Sequence, residues 1–263
     1  MPEFFDGTWT RKVARQQRLS GYLNQYPRYF PDRLSEPRWQ ERCRITGLEQ
    51  VLSARKVGRP VVLVFCHFGP YSLLRAWLRA SGIPSAVVFK SAAETRPTLV
   101  RLADRFIPFP EVPILFSRSE LREVTEFLAA GNVLLMAMDV PGGKQMALRV
   151  ADEWRFEIAS GAVRMAIHHQ AELIPCSIID EGEWRYRVDL GRAVPRELLT
   201  AESDWIRAGQ HLLDEMLPHI KAHPEQCSTT LCRCFKRSTA AQTILKADSA
   251  FGQIPGIIRS PEA

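Results

Sequence analysis

The stretch that decides the fold runs from residue 61 to residue 74 and reads VVLVFCHFGPYSLL. Its first five residues are apolar and mostly β-branched or aromatic, which predicts a strand buried on both faces. Gly69 lets the chain turn, Pro70 suits the first position of a helix, and the apolar residues from Leu73 onward recur at helical spacing. His67 therefore lies where a buried strand meets a helix start, the edge at which open α/β sheets usually bind ligands. Its position alone is also compatible with a histidine that only ends the strand.

Strand and helix patterns alternate along the rest of the chain. Strand patterns lie at residues 86–89, 112–116, 133–138, 155–158, 173–179 and 184–190, and helical patterns lie at 95–106, 121–128, 204–220 and from 161 onward. This alternation predicts an α/β fold, a single domain with a mostly parallel central sheet flanked by helices. The domain is expected to span residues 24–237, between a basic N-terminal segment at 1–23 and a polar, loose tail at 238–263.

Composition limits the classes of function. The chain has 263 residues, of which 46% are hydrophobic, enough to build the core of one large domain. It shows no secretory signal pattern, and its six scattered cysteines are expected to be reduced thiols in the cytoplasm. Three of these cysteines, at 227, 232 and 234, cluster without the paired spacing of a zinc site, so no metal is expected. No apolar run approaches the ~18 residues that a membrane span needs.

The net charge of +6 fits an anionic membrane surface, an anionic substrate or nucleic acid. The chain carries no nucleic-acid motif, and its aromatic residues lie in strand and helix patterns rather than among the basic residues. We therefore expect peripheral contact with an anionic membrane surface and no binding of nucleic acid.

The residues around His67 resemble a known signature. His-Phe-Gly-x-aromatic, followed by an acidic residue and a Leu pair, is the first signature of the lysophospholipid acyltransferase superfamily. The chain is most similar to the branch of late lauroyl and myristoyl acyltransferases that act on lipid A in Gram-negative bacteria. The matching residues are His67, Phe68, Gly69 and Tyr71, together with the following leucines. Ser72 stands where that family carries Glu or Asp.

Further signatures follow in matching order, so that the resemblance covers residues 24 to 237. Arg118 precedes a helix, Asp139 follows a strand and precedes Pro and Gly, and Arg164 lies in a helix after a small-residue turn. Pro175 lies in an apolar strand, and residues 223–236 resemble the closing motif. If Arg118 has no role in function, it is a surface residue near a helix start. The helix dipole disfavours a cation at that position, which modestly favours a functional role. Asp139 can equally be a turn residue, since Asp is common before Pro and Gly.

The resemblance implies a glycerol-3-phosphate-acyltransferase-like fold and transfer of an acyl chain from a thioester to a hydroxyl or amine of a (glyco)lipid-type acceptor. The donor is acyl carrier protein or coenzyme A, used as a co-substrate, and no bound cofactor is expected. The implied catalytic residues are His67 as general base, Ser72, Arg118 and Asp139, and the implied substrate-binding residues are Phe68, Gly69, Tyr71 and Arg164. The implied location is the cytoplasmic face of the inner membrane.

Ser72 leaves the activity open. A serine can orient the imidazole of His67 but supplies no negative charge. The rate of transfer is therefore expected to be about 10²–10⁴-fold lower, unless a carboxylate from elsewhere, such as Asp139 or Glu157, replaces the missing acidic residue. One alternative is a degenerate member that binds lipid or a partner without catalysis. Another is a soluble acyltransferase with a non-lipid acceptor, which is expected if the protein lacks the hydrophobic anchor with which family members usually begin. A cysteine or serine hydrolase is disfavoured, since Cys66 and His67 would point to opposite faces of a strand and Ser72 lacks a G-x-S-x-G elbow.

Overall fold

A computed structural model describes residues 14–15, 37, 41–71, 73–89, 115–117, 121–140 and 144–237. Several predictions fall outside these residues: Ser72, Arg118, the helix at 95–106, the tail at 238–263, and the segment at 1–23 apart from Ala14 and Arg15.

Ten strands form two sheets within the described residues. They are β1 (Cys43–Thr46), β2 (Val61–Phe65), β3 (Ser85–Phe89), β4 (Leu115–Ser117), β5 (Val133–Ala137), β6 (Gln145–Ala151), β7 (Trp154–Ala159), β8 (Glu172–Gly182), β9 (Arg185–Leu190) and β10 (Phe235–Arg237). The central sheet has the order β1-β9-β8-β2-β5-β3-β4, and a small antiparallel sheet has the order β10-β7-β6. From β8 to β4 every neighbouring pair of the central sheet is parallel, whereas β9 runs antiparallel to β8. The predicted mostly parallel sheet is therefore confirmed.

The helices pack against both faces of the central sheet. They are α1 (Leu48–Lys56), α2 (Leu73–Ala80), α3 (Leu121–Ala129), α4 (Gly161–His169), α5 (Trp205–Ala222) and the single turn α6 (Thr229–Cys232). Short 3-10 turns lie at Arg196–Leu199, Glu202–Asp204 and Pro224–Gln226. Across the described ranges, no helix combines the length and the apolar character that crossing a membrane requires.

Strand β2 is buried on both faces, as its unbroken apolar run predicts. Val62 and Val64 belong to one hydrophobic cluster, together with buried residues of α3, α4 and α5. Val61, Leu63 and Phe65 belong to a second cluster, with buried residues of α1 and α2. Because successive side chains of a strand alternate between its faces, this strand joins the two halves of the core.

The neighbour of β2 on one side is β5, which places two polar residues together. The two strands run parallel with Phe65 opposite Ala137, and the N–H of Met138 donates to the carbonyl of Phe65 at 3.0 Å. His67 and Asp139 each follow two positions after this last pair, so they leave the sheet at the same level and the same edge.

Strand β8 is the other neighbour of β2 and contains the predicted Pro175. Proline cannot donate a backbone hydrogen bond, which normally confines it to edges and irregular positions. The carbonyl of Pro175 accepts from the N–H of Gly191, one residue beyond the end of β9. In a strand the N and O of one residue point to the same side, so the N of Pro175 also faces β9. Its missing N–H therefore lies at a level where strand β9 has already ended.

Candidate active site

His67 and Asp139 form a hydrogen-bonded pair at the carboxyl edge of the sheet. The imidazole Nδ1 of His67 lies 2.8 Å from Oδ1 of Asp139. The backbone N–H of the same histidine donates to the other carboxylate oxygen, Oδ2, at 2.9 Å. The carboxylate is fully buried, whereas the imidazole is 25% exposed. One buried acidic side chain therefore holds both the ring and the backbone of a histidine that reaches solvent.

This geometry determines which imidazole nitrogen can act as a base. A carboxylate only accepts hydrogen bonds, so Nδ1 of His67 must carry the proton that faces Asp139. In the neutral ring the lone pair then lies on Nε2, which makes no hydrogen bond with any described residue. An acidic partner at Nδ1 also stabilises the imidazolium that forms when Nε2 takes a proton.

Aromatic residues hold the imidazole from the side. The ring of Tyr71 meets that of His67 edge-on, with 4.7 Å between centroids, and stacks on Phe65 at 5.8 Å. Such contacts limit rotation of the imidazole, because edge-to-face pairs at these distances are favourable. The structure thus places the predicted substrate-binding residue Tyr71 directly against the candidate base.

Phe68 and Gly69 have different environments. Phe68 is 3% exposed and belongs to the hydrophobic core, so its side chain packs inward. Gly69 has a φ of +55°, and a Cβ built on it would lie 1.8 Å from the carbonyl oxygen of Ile178 on β8. Only glycine fits there, because any side chain would strain the backbone and also collide with β8. These two residues shape the loop, and the contacts with substrate that the resemblance implies for them stay a prediction.

Cysteine thiols surround the pair but are poorly suited to act as nucleophiles. Burial, with a further contribution from the charge of Asp139, raises the pKa of the Cys66 thiol. Burial is likewise the main reason that the pKa of Cys234 rises to about 12, and Asp139 adds to it. The thiolate is the reactive form of cysteine, so these side chains stay protonated at neutral pH. Within the described residues no group of three His, Cys, Asp or Glu side chains could hold a metal ion.

Arg164 lies on the same edge, in the first turn of α4. Ala159, just before this helix, donates its N–H to the carbonyl of Met138, the residue next to Asp139. The guanidinium carbon of Arg164 lies 5.4 Å from the ring centroid of Trp205, and Nζ of Lys144 lies 4.1 Å from the same centroid. Both cations are exposed, and neither forms an ion pair with a carboxylate of the described residues. The arrangement provides positive charge that a bound anion could use.

Glu157, the other carboxylate considered for His67, does not take this place. It lies on β7, where its backbone N–H donates to the carbonyl of Cys234. Of these two carboxylates, it is Asp139 that forms the hydrogen bond with the imidazole. Sequence reasoning did not find that Lys144 and Arg164 meet on Trp205, because a pair of cations on one indole leaves no recognisable spacing in the chain.

The fold and the edge pair define a class of protein. A parallel α/β sheet with a carboxylate-oriented histidine at its carboxyl edge is equipped for general-base chemistry. Comparison with known families matches residues 32–237 to the family described as bacterial lipid A biosynthesis acyltransferase. The chain therefore belongs to this acyltransferase family, which confirms the branch that the residues around His67 resemble. Among curated proteins, no match was found.

Proposed function

We propose that the protein transfers an acyl chain from a thioester to a hydroxyl or amine of a (glyco)lipid-type acceptor, with His67 as general base. The observation that supports this proposal is the pair of His67 and Asp139, with 2.8 Å between Nδ1 and Oδ1. It provides an oriented base in a chain that belongs to an acyltransferase family.

The proposed reaction uses Nε2 of His67 to take the proton of the acceptor hydroxyl or amine. The acceptor oxygen or nitrogen then attacks the thioester carbonyl, the C–S bond breaks, and the proton passes from the imidazolium to the departing thiolate. Asp139 holds the ring in the productive tautomer and stabilises the imidazolium. A general base of this kind typically contributes about 10²–10⁴-fold to the rate.

The Asp139 carboxylate bears on the non-catalytic alternative. That alternative depends on Ser72, which supplies no negative charge to His67. The buried Asp139 supplies that charge at hydrogen-bond distance. We therefore favour an active enzyme. Ser72 and Arg118 keep the roles that the resemblance implies and lie outside the described residues.

We propose that acyl carrier protein or coenzyme A presents the acyl group and that Arg164 and Lys144 bind an anionic part of donor or acceptor. Their exposed positive charges on the Trp205 ring support this role. We further propose peripheral contact with the cytoplasmic face of a bacterial inner membrane, which the net charge of +6 supports.

The test is release of free thiol from a panel of acyl-coenzyme A and acyl-carrier-protein donors, with and without a lipid extract as acceptor. We expect release to require the acceptor and to fall about 10²–10⁴-fold in His67→Ala. His168→Ala is the matched control, because this histidine is exposed at the end of α4 and should leave the rate unchanged. Undiminished turnover in His67→Ala would refute the assignment. Transfer to a water-soluble acceptor, without sedimentation on anionic liposomes, would favour the soluble enzyme instead.

A further inference from the structure

The loop that carries His67, residues 67–69, is held from outside by a segment from the far end of the domain. This supporting segment comprises residues 226–228, from the last residue of the 3-10 turn at Pro224–Gln226 to the residue before α6. Two backbone hydrogen bonds join the two: the N–H of Gly69 donates to the carbonyl of Gln226 at 2.9 Å, and the N–H of Ser228 donates to the carbonyl of His67 at 3.0 Å. Together they make an antiparallel bridge between Phe68 and Cys227. The supporting segment therefore pairs with the loop as a short strand would.

The side chain of Gln226 attaches the supporting segment to β8. Its Oε1 accepts from the backbone N–H of Asp180 at 2.9 Å, and its Nε2 donates to the backbone carbonyl of Asp180 at 2.8 Å. The side chain is buried, and exchanging its O and N would place like groups against each other at both ends. The amide therefore has a single orientation, which fixes the position of the supporting segment relative to β8.

The loop is confined between these two elements. A Cβ on Gly69 would lie 1.8 Å from the carbonyl oxygen of Ile178 and 3.1 Å from Oε1 of Gln226, so both elements lie close to the loop at this residue. A displacement of the supporting segment would therefore release the loop backbone. The imidazole of His67 would move with it, because that residue is at the centre of a tight turn closed by the N–H of Phe68 on the carbonyl of Cys66 at 2.7 Å.

We propose that Gln226 is a positioning residue for the reaction: by binding the backbone of Asp180, it holds the loop so that His67 meets Asp139. This inference rests on the proposed function, since the catalytic consequence is measured through acyl transfer. A displacement of about 1 Å at a reacting group can cost about 10²-fold in rate.

The chain provides a matched control in Gln210 of α5. Its side-chain amide makes the same two contacts with the backbone of Arg149 on β6, accepting from the N–H and donating to the carbonyl at 3.0 Å each. Arg149 lies near the end of β6 that leads into β7. Gln145, at the opposite end of β6, is the residue that pairs with Ala159 beside the site. Gln210→Leu thus removes the same two contacts, together with a hydrogen bond from Nε2 to Oδ1 of Asp214 at 2.8 Å, from a place that the reaction does not use.

The experiment compares wild type, Gln226→Leu, Gln226→Glu and Gln210→Leu. Gln226→Glu keeps an acceptor for the Asp180 N–H but loses the donor, and it serves if the leucine variant does not fold. We expect kcat to fall by about 10²-fold in Gln226→Leu, less in Gln226→Glu and not at all in Gln210→Leu, with KM unchanged throughout. Folded Gln226 variants with a kcat within about threefold of wild type would overturn the inference. An equal loss in Gln210→Leu would also overturn it, because the effect would then be one of general stability.

A second measurement is independent of activity. Long-range ¹H–¹⁵N spectra of histidine-labelled protein report which nitrogen of His67 carries the proton. We expect the Nδ1–H form in wild type and in Gln210→Leu, and a mixture of forms in the Gln226 variants. Unchanged spectra in those variants would overturn the positioning role. If wild type transfers no acyl group while the spectra change as expected, the proposed function fails and the positioning role stands.

Discussion

Replacing Asp139 with Asn tests how the carboxylate acts on His67. The side chain keeps its shape, and the backbone N–H of His67, which now donates to Oδ2 at 2.9 Å, requires an acceptor at that position. The carbonyl oxygen of the new amide meets that requirement, so its NH₂ group must face Nδ1 of the imidazole. Nδ1 then has to accept a hydrogen bond, the proton moves to Nε2, and the base loses its lone pair at the nitrogen that faces the substrate.

The size of the effect follows from the charge that is lost. Opposite unit charges about 4 Å apart in a partly buried site interact by about 4 kcal/mol. Asp139 is fully buried, so solvent does little to weaken its attraction for the imidazolium of His67. At about 1.4 kcal/mol for each factor of ten, this loss corresponds to about 10³-fold in kcat. The value is about tenfold smaller than the ~10⁴-fold loss known for the carboxylate that orients the histidine of a serine-protease triad.

The assay is acceptor-dependent thiol release under saturating donor, with the His67 tautomer read by ¹H–¹⁵N spectra on the same samples. Asp189→Asn is the matched control. Asp189 lies on β9 outside the site, and its Oδ2 is 3.4 Å from Nε2 of another histidine, His219. We expect the Nε2–H tautomer and the loss in kcat only in Asp139→Asn. A rate within about threefold of wild type, or an Nδ1–H ring in that variant, would refute the reasoning.

Two further predictions concern the loop and the stability of the fold. Gly69→Ala should unfold the protein or abolish transfer, because the new Cβ would collide with β8. Gly82→Ala is the control: Gly82 has a φ of +70° in open space, so this change should cost only about 1–2 kcal/mol of stability and spare activity. Circular dichroism and thiol release on both variants check this, and an active Gly69→Ala enzyme would contradict it. Burial opposes ionisation of Glu215, but hydrogen bonds from the backbone and guanidinium of Arg192, with its charge, outweigh burial and lower the pKa of this carboxyl. A lowered pKa stabilises the fold above the pKa of the unfolded chain, and this stabilisation is lost as pH falls through the pKa of the folded state. Urea unfolding should therefore show Glu215→Gln about 1 kcal/mol less stable than wild type at neutral pH, with a gap that closes in acid; a gap that widens in acid would contradict the linkage.

The central sheet could be predicted from the sequence because its inner strands carry a strong signal. Strands β2, β5 and β8 are buried on both faces, so they appear as continuous apolar runs. Strand β1 has only four residues that alternate between half-buried and exposed, too short a pattern to predict. Strand β6 does alternate through Met146 and Leu148, and this period of two was available but overlooked.

The candidate site could be predicted only in part. Both His67 and Asp139 follow buried strands, which indicates the same edge of the sheet for each. Their contact depends on the strand order, in which β5 lies beside β2 although β3 and β4 come between them in the chain. Nothing in the periodicity of a strand specifies its neighbour, so the sequence left Asp139 and Glu157 as alternatives.

The support of the loop could not be predicted. It consists of backbone hydrogen bonds from a segment that follows about 160 residues later, and such bonds do not depend on side-chain identity. The side chain of Gln226 attaches this support to β8, and a single buried glutamine has no spacing that distinguishes it from a surface residue.

The central claim is that His67 and Asp139 act as one unit in acyl transfer, and a double-mutant cycle tests it most directly. Transfer rates are measured for wild type, His67→Ala, Asp139→Asn and the double variant. Because Asp139 acts only through the imidazole, the double variant should transfer no more slowly than His67→Ala alone. If the two losses instead multiply, or if His67→Ala retains the wild-type rate, the pair seen at 2.8 Å is not the base that drives the reaction.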